Sequence, residues 1–290
     1  MRQSTQAISQ DCDRYDSEWA IVKQDGESAA AIRGLNDLVA EFVITSREKR
    51  PLQRMCKNLL FTSVNDPALI RPLTYMPHSM YARPPSALRM WVRKIIFSSA
   101  PICSSLDTLY LQACTLEPIF NFKVQQLSKI TSGQFLSRSA NDGSGEVAGG
   151  FHFVAADQWD RTGGLKPVDR AIEKLTRVYH GDVSLLLDVV RQCIVFDNMQ
   201  DLLKAMHTIL GDVQLEVLRI KNRMCNNYDT SQSGGYRDCL VNVRIKTRLT
   251  KKLGLDNHVC ELQLILKQFM VHRSLEGHKR YVVFRNKRCE

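Results

Sequence analysis

Two segments of unbroken alternation, YRDCLVNVRI at 236–245 and HVCELQLIL at 258–266, constrain the fold more than any other feature of the chain. Side chains two apart share one face of a strand. The first segment therefore sets Tyr236, Asp238, Leu240, Asn242 and Arg244 against Arg237, Cys239, Val241, Val243 and Ile245. The second sets Val259, Glu261, Gln263 and Ile265 against His258, Cys260, Leu262, Leu264 and Leu266. In each strand the second set is predominantly apolar and belongs in a core, which leaves the first set on an open surface of a sheet. Gly234 and Gly235 stand before the first strand, where the chain has to turn tightly.

The surrounding segments say what packs on that sheet. KPVDRAIEKLTRVY reads as an amphipathic helix, LLLDVVRQCIVFD as a turn running into a buried strand, MQDLLKAMHTIL as a helix and QLEVLRIKNRM as a strand. The predicted order is α, β, α, β, β, β and a closing α: an α+β class with a mixed sheet flanked by helices. Upstream, AAAIRGLNDLVAEFV, PLQRMCKNLLF, SALRMWVRKIIF and LDTLYLQACTLEPIFNFKVQQLSKI carry helical spacing, punctuated by prolines from Pro51 to Pro118. This divides the chain into a helical region over 1–115 and a second domain over 116–290, with a Gly/Ser-rich loop at 137–150. That loop is no phosphate loop, because Gly143, Gly145 and Gly149 miss G-x-G-x-x-G by one position and no Gly-Lys-Ser/Thr follows.

Forty Lys and Arg against thirty Asp and Glu give a net charge of +10, which favours anionic partners: nucleotides, RNA or acidic surfaces. The nine cysteines stand singly with no C-x-x-C, as thiols of a reducing compartment do, and His258 with Cys260 lacks further partners of zinc spacing. LRMWVRKIIFSSAPI is too short and too basic to span a bilayer, and the first nineteen residues lack an apolar signal core. A cytoplasmic address without a membrane span is the expectation. No oligomeric state is legible.

Tyr236, Asp238, Glu261 and Gln263 fall on one surface if their strands are neighbours, with Asp188 at the start of an earlier strand. Like charges so placed need cations or a metal beside them. Lys166, Arg170, Lys174, Arg191, Lys221 and Arg223 all lie in segments flanking the same strands. Carboxylates that hold Mg2+ beside Lys and Arg that hold phosphate are the parts that phosphoryl-type transfer requires.

These residues also carry a resemblance. GGLKPVDRAIEKL, YHGDVSLLLDVVRQCIVF, IKNRM followed by GGYRDCLVNV, HVCELQL and EGHKRYVVFR resemble, in order, the RelA/SpoT-like nucleotidyltransferase domain over about 116–290. The resemblance implies that fold and transfer of pyrophosphate from ATP, with Mg2+, to the 3′-hydroxyl of a guanine nucleotide. It places a Mg2+ ligand at Asp188, and metal binding or activation of the acceptor hydroxyl at Glu261. It assigns the ATP phosphates to Lys166, Arg170, Lys174 and Arg191, and stacking of the acceptor base to Tyr236. Lys221, Arg223, Arg237, Asp238, Asn242 and Gln263 complete the expected nucleotide-binding set. Asp238-Cys239-Leu240 replaces the family's Ser-Leu-His, which leaves the acceptor open, and no His-Asp pair of a hydrolase domain is present. Transfer to another nucleotide or to an RNA 3′ end, and a non-catalytic nucleotide- or RNA-binding module, are the alternatives.

Overall fold

The computed structural model describes residues 2–49, 103, 105–138, 151–161 and 164–272, in which six strands form one mixed sheet. The strands are β1 (Gln134–Arg138), β2 (Phe151–Ala155), β3 (Val190–Phe196), β4 (Leu215–Asn222), β5 (Cys239–Ile245) and β6 (Cys260–Leu266). Their spatial order is β2-β1-β3-β6-β5-β4, with β3 and β6 parallel and the other pairs antiparallel. The α+β class is observed, and the two alternating segments are neighbours.

Seven helices accompany the sheet among the described residues: α1 (Arg2–Gln24), α2 (Gly26–Lys49), α3 (Leu106–Ile130), α4 (Val168–Val178), α5 (Met199–Gly211), α6 (Arg248–Lys252) and α7 (Lys267–His272). Ser105 caps α3 by accepting from the Thr108 amide, and Asn198 caps α5 by accepting from that of Asp201. Leu109, Ala113, Leu116, Phe120, Val124 and Leu127 form the buried stripe of α3, which packs on β3. Met199, Leu202, Ala205, Met206 and Ile209 do the same for α5 against α2, β3, β4 and β6.

Two boundaries differ from the sequence reading. Pro118 lies inside α3 and does not end it. Burial on both sides of the proline outweighs its local cost, about 3 kcal/mol in a helix interior. The break at 115/116 consequently falls within a continuous helix, whose buried stripe joins one core with Tyr15 and Trp19 of α1, Ile32 of α2 and the strands. Of the loop expected at 137–150, the first two residues belong to β1. Residues 139–150, the helices expected in PLQRMCKNLLF and SALRMWVRKIIF, and the EGHKRYVVFR segment lie outside the described residues. No helix among those described is long and apolar enough to cross a membrane.

The first helix is an addition. Its sequence carried the signal: Cys12, Tyr15, Trp19 and Val22 follow the three- and four-residue spacing of one helical face, and the last three are buried.

Candidate functional site

The stretch before α4 is tied to the start of β3. Leu165 bridges Val190, the Lys166 amide donates to the Val189 carbonyl at 2.9 Å, and the Arg191 amide donates to that of Gly164 at 2.7 Å. Tyr110 of α3 adds a hydroxyl bond to the Lys166 carbonyl at 2.7 Å. Gly164 has φ +119°, and a Cβ there would lie 2.8 Å from the Gln192 amide nitrogen, so this seam accepts glycine alone. The result fixes Lys166 beside the residue that precedes β3 by two, Asp188.

Lys166 and Lys174 both reach the same oxygen of Asp188, with Nζ to Oδ2 distances of 2.5 and 3.0 Å. Asp188 is 6% exposed and Lys166 7%. Burial pushes the carboxyl of Asp188 up, but the two ammonium groups more than offset it and hold it well below the ordinary carboxylate range. Its other oxygen, Oδ1, is buried with no hydrogen-bond partner among the described residues.

Glu261 sits on β6 beside this trio, in register with Arg191 on β3 and Asn242 on β5. It is buried, and that burial, with the charges of Asp188 and Asp238, raises its carboxyl to about 7 against the opposing pull of Lys174 and Arg191. Gln263 follows on the same face, its amide 3.5 Å from Glu261 Oε1. Two neighbouring carboxylates, one with an unpartnered buried oxygen, suit Mg2+, which binds through one or two carboxylates and completes its shell with water and substrate phosphates. No group of three or more His, Cys, Asp or Glu that could hold a metal occurs among the described residues, so substrate oxygens would have to supply the rest.

The remaining expected residues divide. Arg191 is exposed at the edge of the trio, and Lys221 is exposed on β4 opposite Leu240. Arg170 turns along its own helix to Glu173, at 2.6 Å, because the i,i+3 neighbour is nearer than the cluster. Arg223 forms an ion pair with the fully buried Asp238. Asp238 is therefore neutralised from within. Arg237 is 4% exposed: its guanidinium donates to the Arg223 and Cys225 carbonyls at 2.9 and 3.1 Å and lies 4.6 Å from the Trp19 ring. The structure places it in the scaffold of the loop, on the strand face opposite Asp238 and Asn242.

The open surface expected on β5 is also not open, since all seven residues of that strand are buried, Asn242 completely. Burial depends on what covers a face, which alternation alone does not say. Tyr236 is partly buried and meets Tyr15 of α1 edge to face, with ring centroids 6.1 Å apart. A Cβ on Gly235 would lie 2.8 Å from the Cα of Cys12, so the missing side chain is what lets α1 approach. Gly235 also has φ +85°. Sequence reasoning missed Tyr15 and Trp19 as neighbours of this loop, and it missed Arg219, which bonds Asn242 Oδ1 through Nε at 2.9 Å.

No protein-family model matches the chain, and no curated protein matches it. Among solved structures it is similar to small alarmone synthetase 1 from Bacillus subtilis, at 15% identity and a TM-score of 0.39 over 63% of this chain and 87% of that one. The same enzyme bound to its product pppGpp is 16% identical, with a TM-score of 0.40 over 69% of this chain and 89% of the other. The smu.1046c protein of Streptococcus mutans UA159 is 16% identical, with a TM-score of 0.31 over 63% and 88%. The solved structures to which this chain is similar thus include small alarmone synthetases.

Proposed function

We propose that the chain is a Mg2+-dependent pyrophosphokinase of the RelA/SpoT-like type, moving the β,γ-pyrophosphate of ATP to the 3′-hydroxyl of a guanine nucleotide. The observation that carries this reading is the convergence of Lys166 and Lys174 on one oxygen of the buried Asp188, beside the buried Glu261. Lys166 and Lys174 meet at one oxygen of Asp188 and Arg191 stands in register with Glu261, and three fixed cations beside a pair of carboxylates favour a polyphosphate.

In such a site Lys166, Lys174 and Arg191 would hold the phosphate oxygens of ATP in line with the incoming 3′-oxygen. Asp188, through Oδ1, and Glu261 are the residues that would hold Mg2+, whose role when bound is to neutralise charge developing on the phosphate oxygens. The new bond joins the 3′-oxygen to the β-phosphorus. The bond from that phosphorus to the α,β-bridging oxygen breaks, and AMP leaves. Glu261, in register with Arg191 and Asn242 at the middle of the sheet, is the carboxylate that would take the proton released by the hydroxyl. A base stacked on Tyr236 has to share that ring with Tyr15 or displace it.

The test is transfer of label from γ-labelled ATP, with Mg2+, to GDP, GTP, ADP, ATP or RNA, alongside Asp188→Ala and Glu261→Gln. Label on a guanine nucleotide, lost in both variants, is the expected result. Folded wild-type protein that labels no acceptor refutes the reading, and label on RNA alone replaces the acceptor.

A further inference from the structure

The apolar face of α1 buries Tyr15, Trp19 and Val22, and the turn before Trp19 lies on the loop that leads into β5. At Gly235 a Cβ would lie 2.8 Å from the Cα of Cys12 and 3.0 Å from the Cβ of Tyr15. The Tyr15 ring then meets that of Tyr236 at 90°, with centroids 6.1 Å apart. On its other side the same turn is held by α7. Tyr15 and Trp19 rest on Phe269 at centroid distances of 6.1 and 6.2 Å, and Glu18 meets His272 Nε2 at 3.1 Å.

Two features set this seam apart from a permanent core contact. Trp19 and Arg237 are buried, yet the indole Nε1 and the guanidinium Nε have no hydrogen-bond partner among the described residues. A buried donor without an acceptor carries a desolvation cost, which water entering the seam relieves. The docked arrangement is the one that leaves these groups unsatisfied. The second feature is charge. Burial, followed by Asp16, Asp13 and Asp11, raises the Cys12 thiol, so three carboxylates stand about the point where α1 meets the loop. In a chain of net charge +10, α1 thus brings negative charge to the nucleotide side of the sheet, where it repels phosphates. A helix placed to assist nucleotide binding would carry the opposite sign.

We infer that α1 is an autoinhibitory cover: Tyr15 occupies the aromatic surface of Tyr236, and a nucleotide base takes that surface only as the turn around Cys12 and Tyr15 lifts away. This regulation rests on the pyrophosphate-transfer reading, in which Tyr236 is the platform of the acceptor base. Docking of α1 and binding of the base are alternatives at one ring, and each weakens the other by the same factor. Trp19 and Val22 stay in the core while the turn before them moves, in the way helix ends open locally while the rest of a fold stays closed.

Two measurements on the full chain test it: calorimetric titration with GDP, ADP, CDP and UDP, and hydrogen–deuterium exchange of the amides of residues 9–17 with and without each. Tyr15→Ala should bind at least one diphosphate about fivefold or more tighter than wild type, the factor carried by one edge-to-face aromatic pair. Tyr15→Phe keeps the ring and should stay close to wild type. The same diphosphate should speed exchange over 9–17 in the wild type. Glu18→Gln loosens α1 from His272 without touching the core, and should tighten binding by about twofold, as a partly exposed ion pair allows. It decides the matter where Tyr15→Ala does not fold. A merely structural role for Tyr15 predicts weaker binding in both variants, not tighter. Affinity that neither variant raises, slower exchange of 9–17 on nucleotide binding, or no binding of any diphosphate by wild type or variant overturns the inference. Tighter binding in the variants without any transfer of label from ATP refutes the pyrophosphokinase reading and leaves α1 the cover of a nucleotide site. Transfer by wild type that neither variant speeds at low acceptor concentration refutes the cover and leaves the transfer reading standing.

Discussion

Replacing Glu261 by Gln is expected to stabilise the metal-free protein at alkaline pH and to leave it nearly unchanged in acid. Glu261 is buried, and burial with the nearby Asp188 and Asp238 raises its carboxyl from 4.5 to about 7, although Lys174 and Arg191 oppose this. A group whose folded value lies above its unfolded one contributes stability that is complete below the unfolded value and is lost as pH rises through the folded one. Here the loss runs between about 4.5 and 7. At 1.36 kcal/mol per pH unit the full effect is about 3 kcal/mol, which the amide escapes because it never ionises. Denaturant unfolding in EDTA from pH 5 to 8.5 should show the variant pulling ahead as pH rises, reaching roughly 6–12 °C in Tm. His258, completely buried against Gln112 and lowered to about 3 by burial and by Arg244, acts in the opposite sense. Its contribution is complete above 6.5 and is lost as pH falls toward 3. That slope is common to both proteins and cancels in their difference. Unfolding curves that stay parallel across the range would show that Glu261 is not strained by its surroundings.

Asp188→Asn leaves two lysines with no carboxylate at the trio, so it should cost about 3–5 kcal/mol in denaturant unfolding as well as transfer activity; a loss of activity with unchanged stability contradicts the ion-pair account. Gly235→Ala forces a Cβ against the Cys12 backbone at a positive φ, and should cost about 1–3 kcal/mol and shift the emission of Trp19 to the red as α1 lifts. Unaltered Trp19 emission refutes the seating of α1 on this loop. Mg2+ at one hundred times its Kd should stabilise the wild type at pH 8 by about 2.7 kcal/mol and stabilise neither Glu261→Gln nor Asp188→Asn to that extent, as read by thermal unfolding. Equal stabilisation of all three places the metal elsewhere.

Much of the fold was legible because its signals are local. The periodicity of LDTLYLQACTLEPIFNFKVQQLSKI marks α3 with the bounds it has, and the alternation of residues 239–245 and 260–266 assigns each side chain of β5 and β6 to its face. Backbone geometry repeats every two or 3.6 residues whatever the rest of the chain does, so pattern alone determines it. Lys166, Lys174 and Asp188 were legible as a set through motif resemblance, but their convergence on a single oxygen was not.

What the sequence by itself determined, then, is the α+β class, the strands β3 to β6 with the helices α4 and α5 among them, and the side of each strand that carries Glu261, Gln263 and Asn242; β1, β2, α1 and α6 were not read from it. Tertiary structure alone decided that Arg223 neutralises Asp238, that Arg237 staples the Gly235–Tyr236 loop beneath Trp19, and that α1 covers that loop. It also decided that Arg219 faces Asn242, because a bulge is a mismatch between two strands and neither strand encodes it without the other. Partner choice among charges is non-local in the same way: Lys174 and Lys166 meet a carboxylate 14 and 22 residues away, brought within 3 Å only when the core between them closes.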